Sequence, residues 1–298
     1  MAVLPNRFLV KLDANNDYFK TYQYQLGIFR LTVESATGFA APKKGKLLSK
    51  LMREAPDCYC EVNVAAEPEW KTATKKNTAS PAWNETRDFL VTDYDQCIAV
   101  DVKDDDFAGD DHLGDGLTSI KQILLSGGKE ELTLNHKGEP TTIVVSLSGQ
   151  FYQFVTDVSS FTAEGKEDNE KICGLVTILI AGAFGIPGRR EEISPSVKVT
   201  WGDKSFRTVM KTDAPGTDIS NPSFDSAFRI PITANLADGP APFKITLMNK
   251  NDEVSSIEVP FADVLAAPDL ILQNKFDVGD GVSVSASICI RGTKLANM

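Results

Sequence analysis

The sequence predicts an all-β fold of two tandem antiparallel β-sandwiches, and three observations carry that prediction. Apolar and polar residues alternate with period two, as in Phe29, Leu31 and Val33 against Arg30, Thr32 and Glu34, and again in Val282, Val284, Ala286, Ile288 and Ile290. Such alternation marks strands with one buried face. Turn-forming clusters interrupt these runs at the spacing of a sandwich, and 298 residues give room for two domains of about 100 to 200 residues each.

The first series of strands opens at Gly27 and continues with Cys58–Val64, Trp70–Thr74, Asp88–Val91, Ile98–Val102 and Thr142–Phe154. The second comprises Gly174–Ile180, Ser196–Trp201, Ser205–Lys211, Ala227–Ile232, Phe243–Met248, Ser256–Phe261 and Gly281–Ile290. Between them, Thr156–Lys171 is rich in Ser, Asp, Glu, Lys and Gly and lacks alternation, the composition of a solvated linker. The chain thus divides into a lead-in (1–26), a first domain (27–155), a linker (156–171) and a second domain (172–298). Helices are few and short, at Leu47–Arg53, Ser119–Leu125 and Phe261–Leu265.

Composition narrows the function. A net charge of −10 and a pI near 4.8 argue against a nucleic-acid binder, which gains affinity by meeting phosphates with a basic surface. The longest apolar run, Leu175 to Phe184, is broken by Gly182 and falls short of the roughly 20 residues a membrane-crossing helix needs. The first residues lack the apolar core and cleavage site of a secretory signal, and five scattered cysteines do not form a disulfide framework, so a cytoplasmic setting is expected. Only two histidines occur, His112 and His136, and neither accompanies a Gly-x-Ser-x-Gly elbow or a His-Glu-x-x-His helix. No enzyme is expected.

Several stations then fall in a recognisable order: Gly27-Ile28-Phe29-Arg30-Leu31-Thr32-Val33 with Gly38, Pro56-Asp57-Cys58-Tyr59, Asn77 through Pro81-Ala82-Trp83-Asn84-Glu85, and Asp104-Asp105-Asp106 through Asp111-His112-Leu113-Gly114. This half of the chain resembles a C2 domain. Leu4-Pro5-Asn6-Arg7-Phe8-Leu9-Val10 resembles the segment that precedes the first C2 domain in extended synaptotagmins and tricalbins. Gly174-Leu175-Val176-Thr177-Ile178, Ser194 to Val199 and Asn221-Pro222-Ser223-Phe224 resemble a second, divergent C2 domain.

The resemblance implies a calcium site in the first domain, held by Asp57 at the end of the first loop and by Asp104, Asp106 and Asp111 of the third. Calcium takes about six to eight oxygen ligands, with carboxylates favoured. The early first-loop aspartate of the family is missing here, its place lying in the basic stretch Lys43-Lys44-Gly45-Lys46, which implies weaker binding. In the second domain Ser194, Asn249 and Asn251 stand where acids are needed, so no calcium is expected there. Lipid contact is expected from Lys43, Lys44 and Lys46, from Lys71, Lys75 and Lys76, and from Phe107, since each lysine near an anionic leaflet adds about 1 kcal/mol.

The leading expectation is a calcium-modulated phospholipid-binding tandem C2 protein that docks or tethers as a peripheral membrane protein on anionic lipid. The alternative is a calcium-independent scaffold, with a protein partner bound through the second domain. A third reading makes the chain the membrane-targeting part of a larger lipid-transfer protein.

Overall fold

A computed structural model describes residues 25–39, 55–64, 67, 69–105, 109–155, 172–233 and 241–296. The expected linker and the helix expected at Leu47–Arg53 lie outside the described residues. The chain forms two compact units, the first built on residues 25–153 and the second on residues 154–294.

Both units run through one order of elements. In the first, β1 (Gly27–Thr37), β2 (Cys58–Val64), β3 (Trp70–Lys71), β4 (Ala82–Val91), β5 (Cys97–Asp104) and β6 (Asp111–Ser119) precede α1 (Ile120–Leu125), and β7 (Lys129–His136) and β8 (Glu139–Val155) follow. In the second, β9 (Ile172–Phe184), β10 (Pro195–Trp201), β11 (Lys204–Arg207), β12 (Ser223–Thr233), β13 (Phe243–Asn249) and β14 (Asp252–Val259) precede α2 (Phe261–Ala266), with β15 (Ile271–Gly279) and β16 (Val282–Leu295) after it.

Strand pairing repeats in the same way, antiparallel throughout. The first unit pairs β4-β1-β8-β7 and β3-β2-β5-β6; the second pairs β12-β9-β16-β15 and β11-β10-β13-β14. Side chains from the two sheets of each unit meet in one core. Phe29, Leu31 and Val33 pack with Cys58, Cys60, Val62, Val100 and Val102 in the first. Val176, Ile178 and Ile180 pack with Val197, Val199, Ile245 and Leu247 in the second. Each is a sandwich, as expected, and each fully buried large aliphatic or aromatic side chain contributes about 1.5–3 kcal/mol.

The Asn that ends the Pro81-Ala82-Trp83-Asn84 station sits at a bulge. Register slips between Val33↔Glu85 and Ser35↔Ala82, and Asn84 takes the extra residue at φ 51°. Asp225 does the same at φ 44° beside the slip between Ser223↔Gly182 and Ser226↔Ile180. Asn and Asp enter the left-handed region more readily than other side chains.

Three strands escaped the sequence reading. The inward positions of β6 are Gly114 and Gly116, which supply no apolar alternation, because Leu132 and Leu134 of β7 occupy the space their side chains would need; a Cβ on Gly116 would stand 2.9 Å from Leu132. β7 and β15 are mostly exposed and polar, with Leu134 in the one, and Phe276 and Val278 in the other, turned fully inward. Conversely, Trp70–Thr74 and Ser205–Lys211 shorten to β3 and β11. Their continuations still bond the neighbouring strand, through Lys75 N to Cys58 O at 2.8 Å and Lys211 N to Pro195 O at 2.8 Å. Phe261, where the sequence both ended a strand and began a helix, begins α2 as the helix expectation had it and stacks on Trp201 at 5.9 Å.

Two outcomes are expected. A Cβ at Gly149 would stand 2.2 Å from Cζ of Phe29 and 3.1 Å from Cγ2 of Ile123, so Gly149→Ala should lower stability by about 1–3 kcal/mol in urea unfolding, the usual cost of overpacking. Cys97 is exposed while Cys58, Cys60, Cys173 and Cys289 are buried, and burial pushes the Cys60 thiol well above the ordinary range. Ellman's reagent at pH 8 should therefore titrate one thiol rapidly in the folded protein and all five in denaturant.

Candidate functional site

The N-terminal end of β2 and the C-terminal end of β5 are register partners, Cys58 against Asp104. Asp57, just ahead of β2, donates its backbone N–H to Oδ1 of Asp104 at 2.7 Å, and its carbonyl accepts the Asp105 N–H at 2.9 Å. Oδ1 of Asp57 accepts the N–H of Asn77 at 2.7 Å. Asn77 sits at φ 51° and returns its own Oδ1 to the Ala55 N–H at 2.8 Å. Three connections of the first sandwich are thereby strapped together at one end.

The two carboxylates share a neighbourhood. The buried Cys58 thiol is pushed up to about 12, chiefly by burial and further by the negative charges of Asp104 and Asp57. Asp111 opens β6 directly opposite Asp104 in register. Oδ2 of Asp57 and the exposed Asp111 carboxylate have no hydrogen-bond partner among the described residues. Asp106 and Phe107, and the loop lysines Lys43, Lys44 and Lys46, lie outside the described residues. Among the described residues no three acidic, histidine or cysteine side chains are already gathered at metal-binding distance. The chemistry of the set nonetheless fits a hard cation: oxygen donors only, carboxylates foremost, arriving from separate loops.

Lys71 differs from a free surface cation. Its ammonium lies 3.8 Å from the centre of the Tyr59 ring, 3.5 Å from Glu61 and 3.9 Å from Asp110. Glu61 also pairs with Lys103, which reaches Asp101 at 3.7 Å. His112 Nε2 lies 3.3 Å from Asp101 and 3.4 Å from Asp115, and its ring stacks on His136 at 5.2 Å. Burial holds the Asp101 carboxyl above its usual range. The outer face of this sheet is therefore an alternating row of charges. Lys75 and Lys76 form no ion pair among the described residues.

The second sandwich repeats this scaffold with other chemistry. Ser194 donates its backbone N–H to Oδ1 of Asn249 at 2.8 Å, and its carbonyl accepts the Lys250 N–H at 3.0 Å, matching the Asp57–Asp104–Asp105 arrangement bond for bond. Asn249 pairs Asp252 in register as Asp104 pairs Asp111. Lys250 and Asn251 alone join β13 to β14, where residues 105–110 join β5 to β6. The sequence reading found the missing acids but not the missing loop. The counterpart of Asp106 is absent because the connection is a tight turn, with Lys250 at φ 51°.

No helix among the described residues is long and apolar enough to cross a membrane. The C2 domain family model matches residues 27–134 and 174–268. Extended synaptotagmin-1 of Pongo abelii is 27% identical over 272 residues, covering 85% of this chain and 23% of that protein. The Homo sapiens protein is 26% identical with the same coverage, so the chain spans less than a quarter of the length of these relatives. Among solved structures, the calcium-bound C2A and C2B domains of extended synaptotagmin 2 align at TM-score 0.68 and 18% identity, covering 91% of this chain and 98% of that one. A longer fragment of the same protein, with its SMP domain, aligns at TM-score 0.71 and 17% identity, covering 93% of this chain and 59% of that one. The chain belongs to the C2 domain family and carries two copies of the domain.

Proposed function

We propose that the chain is a non-enzymatic, calcium-modulated phospholipid-binding protein that docks or tethers at membranes, as a peripheral protein facing the cytoplasm. The observation that carries this reading is the strapped Asp57–Asp104 pair with Asp111 in register beside it. The first domain, residues 27–155, is the calcium-responsive one, with Asp57, Asp104, Asp106 and Asp111 as ligands. The second, residues 172–298, is not.

Without an ion these carboxylates repel an anionic leaflet. Bound calcium supplies positive charge and open coordination positions that lipid phosphate oxygens can fill. Lys43, Lys44, Lys46, Lys75 and Lys76 are the lysines assigned to anionic headgroups, and Phe107 the aromatic residue assigned to lipid contact. Lys71 contributes less than the others, because Glu61 and Asp110 already offset its charge. The calcium-bound form of a solved relative with the same pair of domains supports the reading.

A second reading rests on the turn Lys250–Asn251 and the Ser194–Asn249 pair: a calcium-independent scaffold that engages a protein partner through the second domain. Co-sedimentation with phosphatidylserine vesicles separates the two. The calcium-modulated reading expects sedimentation in calcium that is lost in chelator and in the Asp104→Asn, Asp106→Asn double variant. Sedimentation indifferent to both would transfer the role to the lysines. None under any condition would leave the scaffold.

A further inference from the structure

Tyr59 lies on the outer face of its sheet, opposite the core face that Cys58 and Cys60 occupy, yet it is only 1% exposed. Lys71 from the neighbouring edge strand covers its ring. Its hydroxyl donates to the carboxylate of Asp110, the residue immediately ahead of β6. The same carboxylate lies 3.9 Å from the Lys71 ammonium. Hydrogen bonds to charged acceptors are among the stronger ones, and a cation over an aromatic face adds to them.

The second sandwich has the same device in different residues. Arg207 faces Lys198 in register as Lys71 faces Glu61, and the residue after each strap bonds its neighbour alike: Thr72 Oγ1 accepts the Cys60 N–H at 2.9 Å, and Thr208 Oγ1 the Val197 N–H at 3.0 Å. Ser196 takes the place of Tyr59. The Arg207 guanidinium donates to Ser196 Oγ at 2.7 Å, to Asn251 Oδ1 at 3.4 Å and to the Lys250 carbonyl. In both sandwiches, then, a cation on the edge strand and the second residue of the adjacent strand tie down the third connection. The second copy does so where no acidic site exists, so the tie does not depend on an ion.

We infer that Tyr59 and Lys71 are positioning residues: through Asp110 they latch the returning limb of the β5–β6 connection to the sheet, and so fix where Asp111 emerges. The latch itself is a property of the ion-free protein. Its consequence for calcium rests on the function proposed above: a ligand held in place beforehand need not be ordered when the ion arrives, so the latch raises affinity.

The test uses the full chain in chelator, with amide hydrogen exchange read on peptides covering Gly109 to Leu113. Tyr59→Phe keeps the ring beneath Lys71 and removes the donor, and should speed exchange there by about tenfold, as loss of one charge-assisted bond does to a local opening. Lys71→Met, at a half-exposed site, should act in the same direction and serves if Tyr59→Phe folds poorly. The Tyr59→Phe, Asp110→Asn double variant should exchange no faster than the worse single one. Calorimetric calcium affinity should fall about fivefold in Tyr59→Phe, with the number of ions unchanged. Unchanged exchange or additive effects in the double variant would overturn the latch; faster exchange with unaltered calcium affinity would overturn its consequence for the ion. If the wild-type chain takes up no calcium, the proposed function fails, and exchange in chelator alone decides the latch.

Discussion

The bond from the Asp57 backbone to the Asp104 carboxylate joins the end of the first loop to the start of the third, and the rest of this end of the sandwich is arranged around it. Because Cys58 and Asp104 are register partners, the bond extends the sheet by one more link past its last ladder pair. The Asn77 turn then closes over Asp57 from the other side. The backbone would adopt this path with any acceptor at position 104. The second sandwich makes the same bond with a neutral amide, 2.8 Å against 2.7 Å. Hydrogen bonding sets the same local geometry in both domains, while the charge of the acceptor and the length of the third connection differ between them.

With geometry separated from charge, one scaffold presents a carboxylate in the first domain and an amide in the second. An amide oxygen can accept a backbone N–H as well as a carboxylate can, but it brings no net charge to offset the stripping of water from a divalent cation. The second domain carries only Lys250 and Asn251 in its third connection, fastened by Arg207. The first domain keeps residues 105–110 and fastens their return with Tyr59 and Lys71. Much of the outer sheet charge, Glu61, Lys103 and Asp101 included, is paired internally, which leaves less of it to meet an external surface.

The sandwich class and most strand positions were legible because alternation is local: Phe29, Leu31 and Val33 declare their buried face whatever surrounds them. β6 was illegible for the opposite reason, since its inward positions are glycines whose core is supplied by Leu132 and Leu134 from another strand. Asp57, Asp104 and Asp111, which the structure places at the ends of β2, β5 and β6, could be read from their stations, but the contacts of Lys71 and Asp110 could not. Nothing in the sequence says that an edge-strand lysine stands over Tyr59, because that contact depends on the pairing of β2 with β3. The shortening of the second domain's third connection could have been found, since Asn249 and Asp252 already bracket it at hairpin spacing.

The most direct measurement is a calorimetric calcium titration of the chain and of a variant in which Asp57→Ser and Asp104→Asn copy the second domain's pair into the first. Because Ser194 and Asn249 already make the same backbone bond, the variant should fold, with a melting temperature lowered only by the loss of the Asn77 N–H bond to Asp57, and release no heat of calcium binding, while the wild type binds. Calcium binding that survives the exchange, or heat that is absent from the wild type, would contradict the claim that charge on a shared hydrogen-bonded scaffold separates the two domains.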